Sequence, residues 1–304
     1  MSGAEFVALS LPPLAIGVLA AMVCALPGNF LLLRRQTMLG DAITHVALPG
    51  IVAAFLLTGH VSTWPMMLGA AAAALIAAGL IEAIRRWGRV EPGAAMGVVF
   101  TAMFAAGVVA LELSGAGGVH LDVEHALFGN LESLIWLDAT GWGSLADPAA
   151  LAAAPPALWR LLGAFALLTL AARLFWKPLV LACFDPGYAQ TAGFRPGLVG
   201  LGLTAATAVA AVAAFEAVGS VLAISMLVCP PAAARLMTDS LPRQIGLSLV
   251  FAAVSAALGF WLAGWGPGWF GWPHALGAAG MMAVVSGLIL ALACVAGPRR
   301  ARLA

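Results

Sequence analysis

The sequence predicts an all-α polytopic membrane protein with eight or nine transmembrane helices, some of them interrupted. Three observations predict it. Of 304 residues, 63% are hydrophobic and only 9% charged, where a soluble domain carries about 25% charged residues. The apolar residues gather in eight or nine windows that satisfy the roughly 20 residues a membrane helix needs. Proline and glycine pairs fall inside several windows rather than between them, as irregular backbone at membrane depth requires.

The windows run at 6–33, 42–59, 65–84, 93–113, 157–177, 198–216, 218–236, 244–264 and 274–296. The first has Glu5 and no basic flank before it and runs far past a signal-peptide core, so it is expected to remain as a span. Only Glu216 and Gly219 separate the sixth from the seventh. One of that pair is therefore expected to be short or re-entrant. Pro27-Gly28-Asn29, Pro49-Gly50 and Pro230-Pro231 mark expected breaks in the first, second and seventh windows, with ordinary kinks as the alternative. Elsewhere the spans are Ala, Gly, Leu and Val, and runs such as Gly69 to Ala74 permit close helix contact. Residues 1–304 read as a single transmembrane domain.

The few charges are informative by position. Net charge is +1, from 14 basic and 13 acidic residues, which leaves no basic footprint for nucleic acid. Lys177 is the one lysine and Pro178 follows it, so the chain contains no Gly-x4-Gly-Lys-Ser/Thr phosphate loop. It cannot itself be a P-loop ATPase. Cys24, Cys183, Cys229 and Cys294 form no Cys-x-x-Cys pair and read as small buried apolar residues. With nine spans and an outer N-terminus, Arg34, Arg35, Arg85, Arg86, Arg89, Arg173, Lys177, Arg195, Arg235, Arg243, Arg299, Arg300 and Arg302 share the cytoplasmic side. The C-terminus then lies in the cytoplasm. The outer side receives an acidic loop at about 112–156 that holds Glu112, His120, Asp122, Glu124, His125, Glu132, Asp138 and Asp147 without a Lys or Arg before Arg160. Such a mouth concentrates cations, or its acids are simply tolerated there. His120, Asp122, Glu124 and His125 are its candidate residues. Eight tryptophans, among them Trp136, Trp142, Trp159, Trp261, Trp265 and Trp269, read as an interfacial belt.

Polar groups inside a span are costly, and they normally face a cavity or a partner. Across the start of the second window the chain reads Met38-Leu39-Gly40-Asp41-Ala42-Ile43-Thr44-His45, so Asp41 and His45, four apart, share one helix face. A carboxylate with an imidazole suits Mn(II), Zn(II) or Fe(II), and the lack of thiolate disfavours Cu(I). Two donors make no closed cage, so water or a second copy must add more. The competing structural reading has Asp41 capping the helix start and His45 bonded to a neighbour. Glu216 reads either as an accessory ligand or as the cap of a helix pair.

Outside the spans, Phe184-Asp185-Pro186-Gly187-Tyr188-Ala189-Gln190-Thr191-Ala192-Gly193 specifies a two-turn helix at both ends. Asp185 is its N-cap, Pro186 its first residue and Gly193 its stop. A capped helix outside the bilayer offers a partner something to hold.

The run Leu33-Arg34-Arg35-Gln36-Thr37-Met38-Leu39-Gly40-Asp41 through His45 to Pro49-Gly50 resembles the second-helix signature of bacterial manganese/zinc ABC-transporter permeases. Four further stretches follow in the family's order: Gly97 to Gly107, His125 to Asn130, Phe184 to Gly193, and Val218-Gly219-Ser220 through Pro230-Pro231 to Arg235. The resemblance covers about 14–290. It implies a type II importer-like permease in the bacterial inner membrane, a homodimer or a pair. Two ATP-binding cassette subunits would lie below and an extracytoplasmic metal-binding protein above. It makes Asp41 and His45 the metal-contacting residues of the path and Asp185, Pro186, Gly187, Tyr188, Ala189 and Gly193 the coupling helix that receives the ATPase. The transported divalent metal, Mn first and Zn or Fe after it, is cargo, and no cofactor is bound permanently. Gly187 and Glu216 depart from the residues usual in the family, and the stretch from Asp138 to Pro156 is longer than expected.

Two other readings compete. A permease for iron chelates or a cobalamin-like ligand needs a wider path without direct ligands. A membrane-embedded metallohydrolase needs a fuller motif, such as His-Glu-x-x-His, which the sequence lacks. The expected chemistry of the chain itself is transport, with no enzymatic step.

Overall fold

The computed structural model describes residues 3–59, 63–113, 129, 131–269, 271 and 275–298. Regular structure among them is helical throughout. Helical turns at Gly3–Glu5 and Phe6–Ser10 lead into α1 (Leu11–Leu33), followed by α2 (Met38–Thr58), α3 (Thr63–Gly88) and α4 (Pro92–Leu113). Then come a short α5 (Pro148–Ala152), α6 (Pro156–Leu174), α7 (Trp176–Phe184), α8 (Pro186–Thr191), α9 (Pro196–Met237), α10 (Leu241–Trp269) and α11 (Ala278–Ala296).

Eight segments among the described residues are long and apolar enough to cross a membrane: Gly3–Leu33, Pro65–Arg85, Gly93–Leu113, Pro156–Leu174, Pro196–Phe215, Ala217–Met237, Leu241–Trp269 and Ala278–Ala296. The second window is α2, wholly apolar from Pro49 to the last turn at Thr58 and interrupted before it by Asp41, Thr44 and His45. Its 21 residues rise about 31 Å at 1.5 Å each, enough for a hydrocarbon core of about 30 Å. Each of the nine windows therefore has its helical segment.

The interruption falls at a glycine. Helix α9 has 42 residues, a rise of about 63 Å and so twice the thickness of the core. At Gly219 its backbone leaves the helical region, with φ 74° and ψ 176°. That conformation is open to glycine and closed to most side chains. Gly129, itself at φ 71°, packs against this break so closely that a Cβ there would lie 2.6 Å from the Gly219 nitrogen. Gly129 and Gly219, far apart in sequence, thus meet.

The expected proline breaks resolve as the ordinary alternative. Pro27, Pro49, Pro230 and Pro231 all lie inside helices that continue through them. Each proline removes one backbone donor. In α2 the small residues of neighbouring helices leave room for the ring: a Cβ on Gly107 of α4 would come within 2.6 Å of the Pro49 Cβ.

The chain divides into two compact units. One comprises Pro27–Asp122 and Leu168–Val212, and the other Met1–Leu26, Val123–Leu167 and Ala213–Ala304. In the first, α2, α3 and α4 pack on one another. Gly50 and Gly69 face each other there with backbone against backbone, and a Cβ on Gly50 would lie 2.7 Å from the Gly69 carbonyl carbon. In the second, α10 packs along α11. Gly259 receives Met282, leaving 2.6 Å between a Cβ and the Met282 nitrogen.

The segment after Trp136 is folded. Trp136, expected in an interfacial belt, is buried with Val7, Ala139 and Ala154. Its Nε1–H donates to the Ala150 carbonyl (3.0 Å), and its backbone N–H to the Ala8 carbonyl (2.8 Å). Trp142, Trp159, Trp261, Trp265 and Trp269 are exposed, as a belt requires. Of the cysteines, Cys24 is buried as expected, Cys183 and Cys229 are half-buried, and Cys294 is exposed on α11.

Candidate metal site and its surroundings

Helix α2 begins at Met38 and carries Asp41 in its first turn. A carboxylate there is favoured by the helix dipole, in line with the structural reading. The His45 Nε2 and Asp41 Oδ1 atoms lie 3.3 Å apart, and each side chain keeps 37% of its surface open. That separation is long for an N–H···O bond, usually about 2.7–3.2 Å. Two donors on one metal stand about 2.8–3.5 Å apart, for bonds of about 2.0–2.2 Å at octahedral to tetrahedral angles, a range that includes this separation.

The imidazole is held from α4. The Phe100 ring stacks on it at 5.7 Å and 24°, and the Phe104 ring meets it edge-on at 6.1 Å and 83°. Phe100 and Phe104 are one helical turn apart and share a face. One turn beyond His45, the Pro49–Gly107 and Gly50–Gly69 contacts fix α2 against α4 and α3. Ring orientation and helix position are thus set by different contacts. Both phenylalanines lie in the Gly97 to Gly107 stretch of the resemblance, which assigns them no role beyond that of apolar residues in a span. Only their spacing, with Gly107 seven residues after Phe100, marks a face.

Among the described residues no group of three or more His, Cys, Asp and Glu forms. Asp41 and His45 are therefore an open two-donor edge. Glu216 lies in α9 three residues before the Gly219 break, and its side chain is outside the described residues. His120, Asp122, Glu124 and His125 are outside them too. Two other acids of the predicted outer loop act as helix caps. Glu132 accepts the Ala278 backbone N–H at the start of α11 (2.7 Å), and Asp147 accepts that of Ala149 at the start of α5 (3.0 Å). Both are accounted for without a cation.

The short helix predicted at 185–193 is α8. Asp185 Oδ1 accepts the Tyr188 N–H (2.9 Å), and Pro186 occupies the first turn. At the other end Phe194 N–H donates to Ala189 O (2.9 Å) and Gly193 N–H to Gln190 O (3.0 Å), with Gly193 at φ 85°. This is the Schellman pattern. Ala189 is buried, while Pro186, Gly187, Tyr188 and Gln190 are exposed. A Cβ on Gly187 would meet only Asp185 Oδ1, at 3.4 Å, so the acidic residue usual there was not displaced by crowding.

The model of the ABC 3 transport family matches residues 8–138 and 150–267. This chain belongs to the ABC 3 transport family. The gap at 139–149 coincides with the folded segment after Trp136, which accounts for the unexpected length there. Similar proteins include the manganese transport system membrane protein MntD of Bacillus subtilis, 37% identical over 285 residues, or 94% of this chain and 91% of that one. The zinc transport system membrane protein TroD of Treponema pallidum is 34% identical over 284 residues, 93% of this chain and 73% of that one. Among solved structures, PsaBC from Streptococcus pneumoniae in complex with Fab superposes with a TM-score of 0.75 at 24% identity, covering 96% and 93% of the two chains. The family's fold is thus shared, and the chain is a multi-pass membrane permease of the ATP-binding cassette class.

Proposed function

We propose that this chain is the membrane-spanning subunit of an importer for divalent transition metal ions, with Mn(II) as first cargo and Zn(II) and Fe(II) as alternatives. Asp41 and His45 hold the ion in transit. The observation that carries the reading is their 3.3 Å edge, open to solvent on both side chains and braced by Phe100 and Phe104. Relatives named for manganese and for zinc transport support the class of cargo. They also favour a bare ion over an iron chelate or a cobalamin-like ligand.

The remaining donors come from water, from Glu216 or from a second copy of the chain. A pair of permeases would thereby complete the coordination. ATP is hydrolysed by partner cassette subunits that dock on α8, through Asp185, Pro186, Gly187, Tyr188, Ala189 and Gly193. An extracytoplasmic metal-binding protein delivers the ion at the face that carries His120, Asp122, Glu124 and His125. The C-terminus lies in the cytoplasm, on the side of the arginines, and residues 1–304 act as one permease domain.

The test is Mn(II) uptake into vesicles that contain the chain and its partners. Asp41→Ala and His45→Ala should each collapse uptake at constant protein level, and undiminished uptake in both rejects the site.

A further inference from the structure

Building on the coupling-helix reading, on which it rests, we propose that Arg34 links α8 to the Asp41/His45 segment and so makes metal uptake depend on the movement of α8. By position Arg34 is one of several basic residues at cytoplasmic helix ends. Its surroundings are more particular. The Nη1 atom is buried and has no hydrogen-bond partner among the described residues. The Nη2 atom lies over Gly200, where a Cβ would come within 2.9 Å of it. Its charge also reaches Cys183: burial pushes that thiol up to about 11, and Arg34 pulls the other way. Cys183 is the penultimate residue of α7, and Gly200 lies near the start of α9. The guanidinium therefore lies against the start of α9, and the same end of α1 reaches α7 through Phe30. Phe30 meets the Trp176 ring of α7 edge-on at 6.3 Å, and its carbonyl accepts from Cys183 Sγ at 4.0 Å.

Toward the metal edge the path is short and stiff. Helix α1 closes with Gln36 N–H donating to Leu31 O (2.9 Å) and Arg35 N–H to Leu32 O (3.1 Å), with Arg35 left-handed at φ 55°. This is again the Schellman pattern, made without the usual glycine, and a non-glycine residue in that region is uncommon. Helix α2 starts at Met38, with Asp41 in its first turn. A buried cationic nitrogen without an acceptor is a poor way to stabilise a fold. Such a group gains when its surroundings change, which is the property of an element with two arrangements. Displacing α8 moves the ends of α7 and α9, the guanidinium follows, and the closed turn carries the shift to Asp41.

The test measures Mn(II) uptake and ATP hydrolysis together, in proteoliposomes holding the complete transporter. Arg34→Gln removes the charge, while Gly200→Ala leaves Arg34 present and displaces only the end of its flexible side chain. Both should lower the metal carried per ATP hydrolysed by about fivefold or more, with hydrolysis near wild type, and Arg34→Lys should recover part of the loss. An unchanged ratio in both variants overturns the proposal. Equal loss of uptake and hydrolysis overturns it too, since that is the mark of a residue that only supports the fold. Asp185→Ala separates the two readings. If it leaves ATPase association intact, the coupling-helix reading itself fails; if it weakens association while the Arg34 ratio is unchanged, only the Arg34 link fails.

Discussion

Polar groups stand inside apolar helices in both units of the chain, and two regions, one in each unit, hold them differently. In the unit that contains α10 and α11, Ser248 and Ser255 are buried, and their hydroxyls donate to the Ile245 and Phe251 carbonyls of their own helix. Ser225 of α9 and Ser286 of α11 share a hydrogen bond of 2.5 Å. These groups are satisfied locally and hold helices together. In the other unit Asp41 and His45 remain over a third exposed, with His45 Nε2 and Asp41 Oδ1 3.3 Å apart. Polarity in a span is thus weak grounds for a site. Two different donor chemistries converging, open and braced from outside, are stronger grounds.

That contrast orders the expected effects. The largest belongs to the open pair: Asp41→Ala or His45→Ala should reduce Mn(II) uptake by about a hundredfold or more, since even residues that only orient metal ligands cost about 10–100-fold. Next comes the contact that positions α2. Gly50→Ala puts a Cβ 2.7 Å from the Gly69 carbonyl carbon, and overpacking of this kind destabilises by about 1–3 kcal/mol. Thermal unfolding in detergent should show the loss, with uptake falling as the folded protein does.

Phe100→Leu keeps the bulk and removes the stacked ring, a contact worth about 0.5–1.5 kcal/mol. The Mn(II) KM should rise up to about tenfold, with little change in stability. Smallest are the closed polar groups. Ser286→Ala should cost about 0.6 kcal/mol and leave the KM for metal unchanged. A KM shift there as large as that of Phe100→Leu would erase the distinction between the two regions.

Much of this was legible in the sequence, for identifiable reasons. Apolar windows are set by composition, and each became a helical segment. Local chemistry sufficed for α8, because Asp185 and Gly193 act on backbone within a few residues of themselves. The shared face of Asp41 and His45 follows from helical period alone. What stayed hidden depends on contacts between distant residues. Proline reads as a break, yet α2 runs through Pro49 because Gly107, far along the chain, leaves it room. Trp136 reads as a belt residue until the folded segment 139–154 buries it. Glu132 reads as part of an acidic mouth until the start of α11 claims it. Phe100 and Phe104, inside a recognisable stretch, show no link to His45 until α4 lies against α2.

The most direct test of the central claim, that Asp41 and His45 hold the same ion, is a double-mutant cycle on Mn(II) binding to the purified transporter. Ligands to one ion act as a unit, so their losses do not add. The account predicts that Asp41→Ala with His45→Ala binds no worse than either single variant, both singles having lost nearly all transport-site binding. Additive losses, or wild-type binding in either single variant, would contradict it.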